Sequence, residues 1–128
     1  MDLIELSEAF AKIDPAFQRK ADSIFAHWHP DIPPWTQLLG EFGLTISEMT
    51  QGGKFNAVEQ ALFLVEKLLT SGSSEVRDSI ATGLLEAILA ESSAGKLDFQ
   101  KIVCFMGNKS KDYCRAWDKF TGIKTPGL

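Results

Sequence analysis

Imidazole and carboxylate side chains gather at one place in this chain, His27-Trp28-His29-Pro30-Asp31. A His-x-His pair with an Asp two residues on is able to supply three ligands to a transition metal. Such sites draw their remaining ligands from a second segment, and no other histidine exists here. The pair also ends a helix-forming stretch, where the negative end of the helix dipole favours it without any metal. No metal and no cofactor are therefore expected. Cys104 and Cys114 are too few for a disulfide framework or a zinc site of their own. Their apolar helical surroundings predict two reduced, buried thiols with no base nearby in sequence.

Nucleophilic catalysis needs a Ser or Cys, a base and a third, orienting group. The serines fall at helix starts and loops, where capping accounts for them. Neither Gly-x-Ser-x-Gly nor His-Glu-x-x-His occurs, and Gly52-Gly53-Lys54 lacks the spacing of a phosphate loop. The carboxylates form no recognisable acid–base pair. No catalytic residue is assigned, and the chain reads as a binding protein, not an enzyme.

Binding anchors are easier to place. Tryptophan is enriched where interfaces concentrate their energy, and Trp28 and Trp35 flank the Pro-rich segment Asp31-Ile32-Pro33-Pro34. Trp28, Asp31 and Trp35 form the expected contact site, extended by the acids Glu41 and Glu48. Trp117 shares a helix face with Tyr113 and Phe120 and reads as core.

Charge points the same way. The formal balance is −4, but residues 1–64 hold nine acids against Lys12, Arg19, Lys20 and Lys54, whereas the second half is nearly neutral. The mildly basic stretch from Lys96 onward is not the concentrated basic face that phosphate binding favours, so nucleic acid is not expected as a partner. A basic protein suits the acidic half better. Apolar runs such as Ala61-Leu62-Phe63-Leu64-Val65 fall far short of the roughly 20 residues that cross a bilayer. The acidic opening Met1-Asp2-Leu3-Ile4-Glu5 does not suit a secretory signal. The expectation is a cytoplasmic protein without membrane contact.

The elements that must hold these residues are helical. With 128 residues, 45% hydrophobic and 23% charged, the chain suits one domain, 1–128, with a core of its own. Leu3, Leu6, Phe10 and Ile13 mark a first amphipathic helix. Asp14-Pro15 opens a second, carrying Phe17, Ala21, Ile24 and Phe25 and stopping at His29 before Pro30. A third starts at Trp35 with Leu38, Leu39, Phe42 and Ile46, and Gly40 and Gly43 are expected to end or bend it. Asn56 is the expected cap of a helix through Leu69, and Ser74 of one carrying Val76, Ile80, Leu84, Ala87 and Ile88. Asp98 should cap a short helix through Met106, and Ser110 a last one. No segment alternates as a strand does. The fold class is all-α, a compact bundle of about six to seven helices.

Two resemblances attach to these residues. His29-Pro30-Asp31, preceded by Arg19-Lys20-Ala21, is similar to the signature tripeptide of J-domain co-chaperones. The flanks depart from that family, since the preceding helix lacks a dense basic face and Ile32-Pro33-Pro34-Trp35 replaces the polar loop. The helix opened by Glu75-Val76-Arg77 and continuing to Leu84-Leu85-Glu86-Ala87-Ile88, paired with the helix before it, resembles a HEAT-like antiparallel hairpin. From Val58 to Phe120, that hairpin followed by Phe105-Met106-Gly107 and an aromatic helix resembles small helical bacterial immunity proteins of polymorphic-toxin and contact-dependent growth inhibition systems. Ala87 stands where that family would carry Asn. The resemblance implies a protein that neutralises a cognate toxin domain, often a nuclease, by covering its active site. A generic helical adaptor or regulatory interaction domain is the alternative, ahead of an enzyme or a co-chaperone.

Overall fold

Helix α1 (Leu3–Ala11) begins with a reciprocal cap: the Asp2 carboxylate accepts from the Glu5 N–H at 2.8 Å, and Glu5 accepts from the Asp2 N–H at 3.3 Å. Leu3, Leu6 and Phe10 are buried, while Ile13 lies just past the helix end and is half-buried. Helix α2 (Pro15–Trp28) is capped by Asp14, which accepts from the Ala16 N–H at 2.9 Å. The computed structural model describes residues 1–128. It contains seven α-helices, the others being α3 (Trp35–Gln51), α4 (Phe55–Ser71), α5 (Ser74–Ser79), α6 (Glu86–Ser93) and α7 (Asn108–Thr121), and no strand.

Three rings knit the first three helices together. Phe10, Phe17 and Phe42 are fully buried, with centroids 5.1 to 5.3 Å apart in tilted and edge-on pairs. Such pairs contribute about 0.5–1.5 kcal/mol each beyond the area they bury. The same core continues through Ile46, Val58, Leu62, Ile80, Leu84, Ile88 and Phe99 as one cluster of 28 buried residues.

The expected end or bend of α3 at Gly40 and Gly43 does not occur; the helix runs unbroken to Gln51. Gly43 serves packing instead. Residues 74–93 form one continuous rod in which α5 passes through a π-helical stretch, Ile80–Leu85, into α6. Val76, Ile80, Leu84 and Ile88 repeat every four residues, which in an α-helix of 3.6 residues per turn drifts by about 40° at each step. The wider π turn, in which the Glu86 N–H reaches back to the Ala81 carbonyl, absorbs that drift and keeps all four side chains buried. α3 lies along this rod closely enough that a Cβ on Gly43 would fall 2.5 Å from the Leu84 carbonyl oxygen and 2.9 Å from the Ala87 Cβ. Gly83 faces back, where a Cβ would sit 3.0 Å from the Leu39 Cβ. α4 and α5, joined by Gly72 and Ser73, are also in contact as a helical hairpin, but the rod's larger interface is with α3.

Several helix starts differ from expectation. α4 begins at Phe55 without a side-chain cap, because Gly53 in the left-handed region (φ 76°) turns the chain straight into it; Asn56 is already inside. Ser73, not Ser74, caps α5, accepting from the Val76 N–H at 3.3 Å. Asp98 caps as expected, but it opens two 3₁₀ turns, Phe99–Lys101 and Val103–Phe105, in place of a short α-helix. Ser110 does not cap α7, which starts at Asn108. The cap comes from α4: Glu66 accepts from the Lys109 N–H at 3.0 Å and from the Ser110 N–H and hydroxyl at 2.9 Å each. A Cβ on Gly107 would overlap the Glu66 side chain.

Two outcomes test this packing. Gly43→Ala is expected to destabilise the fold by about 1–3 kcal/mol through overpacking. Gly40→Ala, whose new Cβ would meet only the Gly83 carbonyl at 3.8 Å, should gain up to about 1 kcal/mol of helix propensity. Urea midpoints for the pair decide whether the seam is as tight as described. Glu66 supplies the second. Burial pushes its carboxyl up, but the bonds from Ser110 and Lys109 prevail and hold it below the ordinary glutamate range. A carboxyl lowered on folding stabilises fully above its unfolded pKa and loses that contribution as pH falls through the folded value. Glu66→Ala should therefore cost about 1–2 kcal/mol at neutral pH, with the difference from the parent shrinking in melts run at progressively more acidic pH.

Candidate functional site

The loop between α2 and α3 is built by its prolines. Pro30 prevents α2 from continuing, and the His29 N–H closes the helix on the Phe25 carbonyl. The His29–Pro30 peptide is cis, and the Asp31 N–H returns to the Trp28 carbonyl at 2.7 Å, making a tight turn. Pro33 is buried beneath the loop, while Asp31 and Ile32 stand exposed, Ile32 by 65%.

Trp28 is half-buried against the core and its indole N–H donates to Gln37 Oε1 at 3.1 Å. That bond ties the end of α2 to the first turn of α3. From Gln37 an exposed or half-exposed stripe runs along α3 through Glu41, Leu44, Glu48 and Gln51, at steps of three and four residues. Glu41 sits 3.8 Å from Lys20 on α2, and Glu48 is open to solvent. Trp28, Glu41 and Glu48 thus line one face.

Trp35 does not join them. At 100° per residue it points to the other side of α3, where it lines a shallow hollow with Thr36, Glu75, Asp78, Ser79 and Thr82. Nothing in the spacing of Glu75 and Asp78 places them beside Trp35. The hollow arises because α5 packs against α3, a neighbour relation that residue spacing does not encode. Gln37 and Lys20 were missed for the same reason. Asp31 lies exposed on the loop between α2 and α3. His27, His29 and Asp31 are exposed and belong to no convergent group of three or more possible metal ligands.

Elsewhere, Tyr113 and Trp117 are half-buried and Phe120, expected to face the core with them, is 90% exposed. The Tyr113 hydroxyl donates to Glu86; burial, together with that carboxylate, raises its pKa. The face these residues share is a shallow surface hollow at the end of α7.

Residues 5–122 match a family described as Domain of unknown function (DUF7674), and the chain belongs to that family. The match runs from within α1 to just past the end of α7. No curated protein and no solved structure matches the chain.

The two thiols part company. Cys114 is buried on the inner face of α7, and burial, then the nearby Asp118, pushes its pKa up to about 12. Cys104 was expected to be buried as well but is exposed, because the 3₁₀ turns there do not keep the α-helical face its neighbours suggested. A thiol reagent at mildly alkaline pH should modify one cysteine of the native protein and both after unfolding. Mass mapping should find the native label on Cys104.

Proposed function

We propose that the protein is a non-catalytic binding protein that neutralises a cognate bacterial toxin by covering its active site, using the acidic face of α3 and the aromatic turn at its head. The observation that carries this reading is the continuous stripe Trp28, Gln37, Glu41, Leu44 and Glu48, with Lys20 as its one paired cation. A nuclease holds phosphates in a basic cleft. An acidic helix face is complementary to that cleft, and opposite charge speeds encounter. α3 is well suited to present it, being clamped on its buried sides by α2, α4 and the 74–93 rod. A contact surface on such an element arrives pre-ordered, which lowers the entropy lost on binding. Trp28 and Ile32 supply the apolar part, at the end where the acids stop.

A second reading, an adaptor for a partner other than a toxin, is favoured by the Trp35 hollow. An indole beside the carboxylates of Glu75 and Asp78 suits a lysine or arginine side chain of a bound segment.

Co-expression with the product of the neighbouring gene separates the two. Under the toxin reading that product is harmful alone, is silenced by this chain, and copurifies with it. The double variant Glu41→Lys/Glu48→Lys should then associate about tenfold more slowly at low salt, with less of a difference at high salt. A harmless neighbour sinks the toxin reading, and unchanged association kinetics in the double variant sinks the α3 surface.

A further inference from the structure

Two phenylalanines stand far out of the core, Phe63 at 71% and Phe120 at 90% exposed. Phe63 lies on α4 between Glu59 and Lys67, beside a trough against α1, and those opposite charges favour neither sign of ligand. Phe120 has different surroundings. Tyr113, Trp117 and Phe120 follow one another at steps of four and three along α7 and so share one side of it. Together with Glu86 they line a hollow of about 360 Å³. Glu86 is the first residue after the π-helical stretch Ile80–Leu85, against which α7 packs, and π turns recur at functional sites.

The charge of this hollow is uncompensated. Glu86 is half-buried and forms no ion pair, the pairs of the molecule being Lys20–Glu41, Lys54–Asp14 and Arg115–Asp112. Its hydrogen bond comes from a neutral donor, the Tyr113 hydroxyl, on Oε2. The rings add the negative potential of their faces. The close ring pairs of the molecule join Phe10, Phe17 and Phe42, and His27 with Trp28, so these three rings are not stacked on one another. A cation is the ligand this hollow complements.

The acceptors decide which cation. The Thr121 hydroxyl is already used, donating to the Trp117 carbonyl at 2.8 Å and accepting from the Ile123 N–H at 3.3 Å. Ala116 contributes a methyl group. What is left is the Glu86 carboxylate and the phenol oxygen bound to it. A primary ammonium with its three donors, or a guanidinium with its five, would turn unpaired N–H groups onto the rings, which costs free energy. A quaternary ammonium has no donor to leave unpaired and presents its charge through methyl groups that pack on aromatic faces.

We propose that the hollow formed by Tyr113, Trp117 and Phe120 binds a trimethylammonium group, with the rings around its methyl groups and its charge facing Glu86. The hollow shares no residue with the α3 stripe or with the Trp35 hollow, so this proposal stands apart from the toxin reading.

Titration of the full chain with tetramethylammonium chloride tests it, followed through the indole N–H signal of Trp117 in two-dimensional NMR, with sodium chloride as the ionic-strength control. A saturable shift at Trp117 is expected, with the signals of Trp28 and Trp35 unmoved. Glu86→Gln, which keeps an acceptor for the Tyr113 hydroxyl, should weaken binding about tenfold. Phe120→Ala, at a position too exposed to disturb the core, should weaken it about threefold. Choline and a peptide carrying trimethyllysine should both displace the probe, and the tighter of the two identifies the carrier of the group. Dimethylbutanol, the neutral carbon counterpart of choline, should not displace it. No saturable shift at Trp117 overturns the site, as does a neutral compound that binds as well as the cation or a Glu86→Gln variant that binds like the parent. Methylammonium binding as tightly as tetramethylammonium overturns the choice of a methylated ligand.

Discussion

Along α3 the backbone at Gly43 runs against the Leu84 turn with no room for a side chain, and Gly83 answers from the other side against Leu39. Most of the molecule is arranged about this contact. It brings Leu38, Leu39, Phe42 and Ile46 onto Ile80, Leu84, Leu85 and Ile88, all fully buried. It also explains why the 74–93 rod carries a π-helical stretch. A four-residue apolar repeat on a regular helix would rotate away from a straight neighbour. The extra residue in the wide turn resets the phase where the two backbones come closest.

Helix ends hold the periphery to that centre through carboxylates reaching across chain distance. Glu66, in the middle of α4, supplies the cap that α7 does not contain. Asp14 caps α2 and meets Lys54 at 2.9 Å, pinning the turn before α4 to the start of α2. Asp118 holds the final segment by accepting from the Thr125 N–H and hydroxyl at 2.7 and 2.6 Å. Each exchanges an unsatisfied donor at a chain turn for a charge-assisted hydrogen bond. The buried Ser47, which donates to Glu91 and accepts from Gln51, does the same between α3 and α6. No buried side-chain polar atom is left without a partner.

The surfaces left over from this packing are unequal. α3 offers acids beside a tryptophan anchored by Gln37, and α4 offers a phenylalanine between opposite charges beside a trough. Both result from which sides of two long helices the core did not require.

The sequence by itself determined the all-α class, the Asp14-Pro15 start of α2, its stop before Pro30 and most of the apolar core. These depend on neighbours within about a helical turn, where spacing and capping chemistry act directly. It also singled out Trp28, Asp31, Trp35, Glu41 and Glu48, although it could not divide them between two sides of α3. Gly40 and Gly43 were expected to break α3 and do not; at Gly43 the local cost in helix propensity is offset by a contact with Leu84 and Ala87, some forty positions away. Cap positions at Asn56 and Ser110 shifted for a related reason, a left-handed glycine and a distant carboxylate serving instead of the local side chain, whereas at Ser74 the cap moved by one residue to Ser73. Only tertiary structure decided which glycines touch, which carboxylate caps which helix and which faces of α3 and α4 remain open, because each depends on the distance between segments that sequence order leaves free.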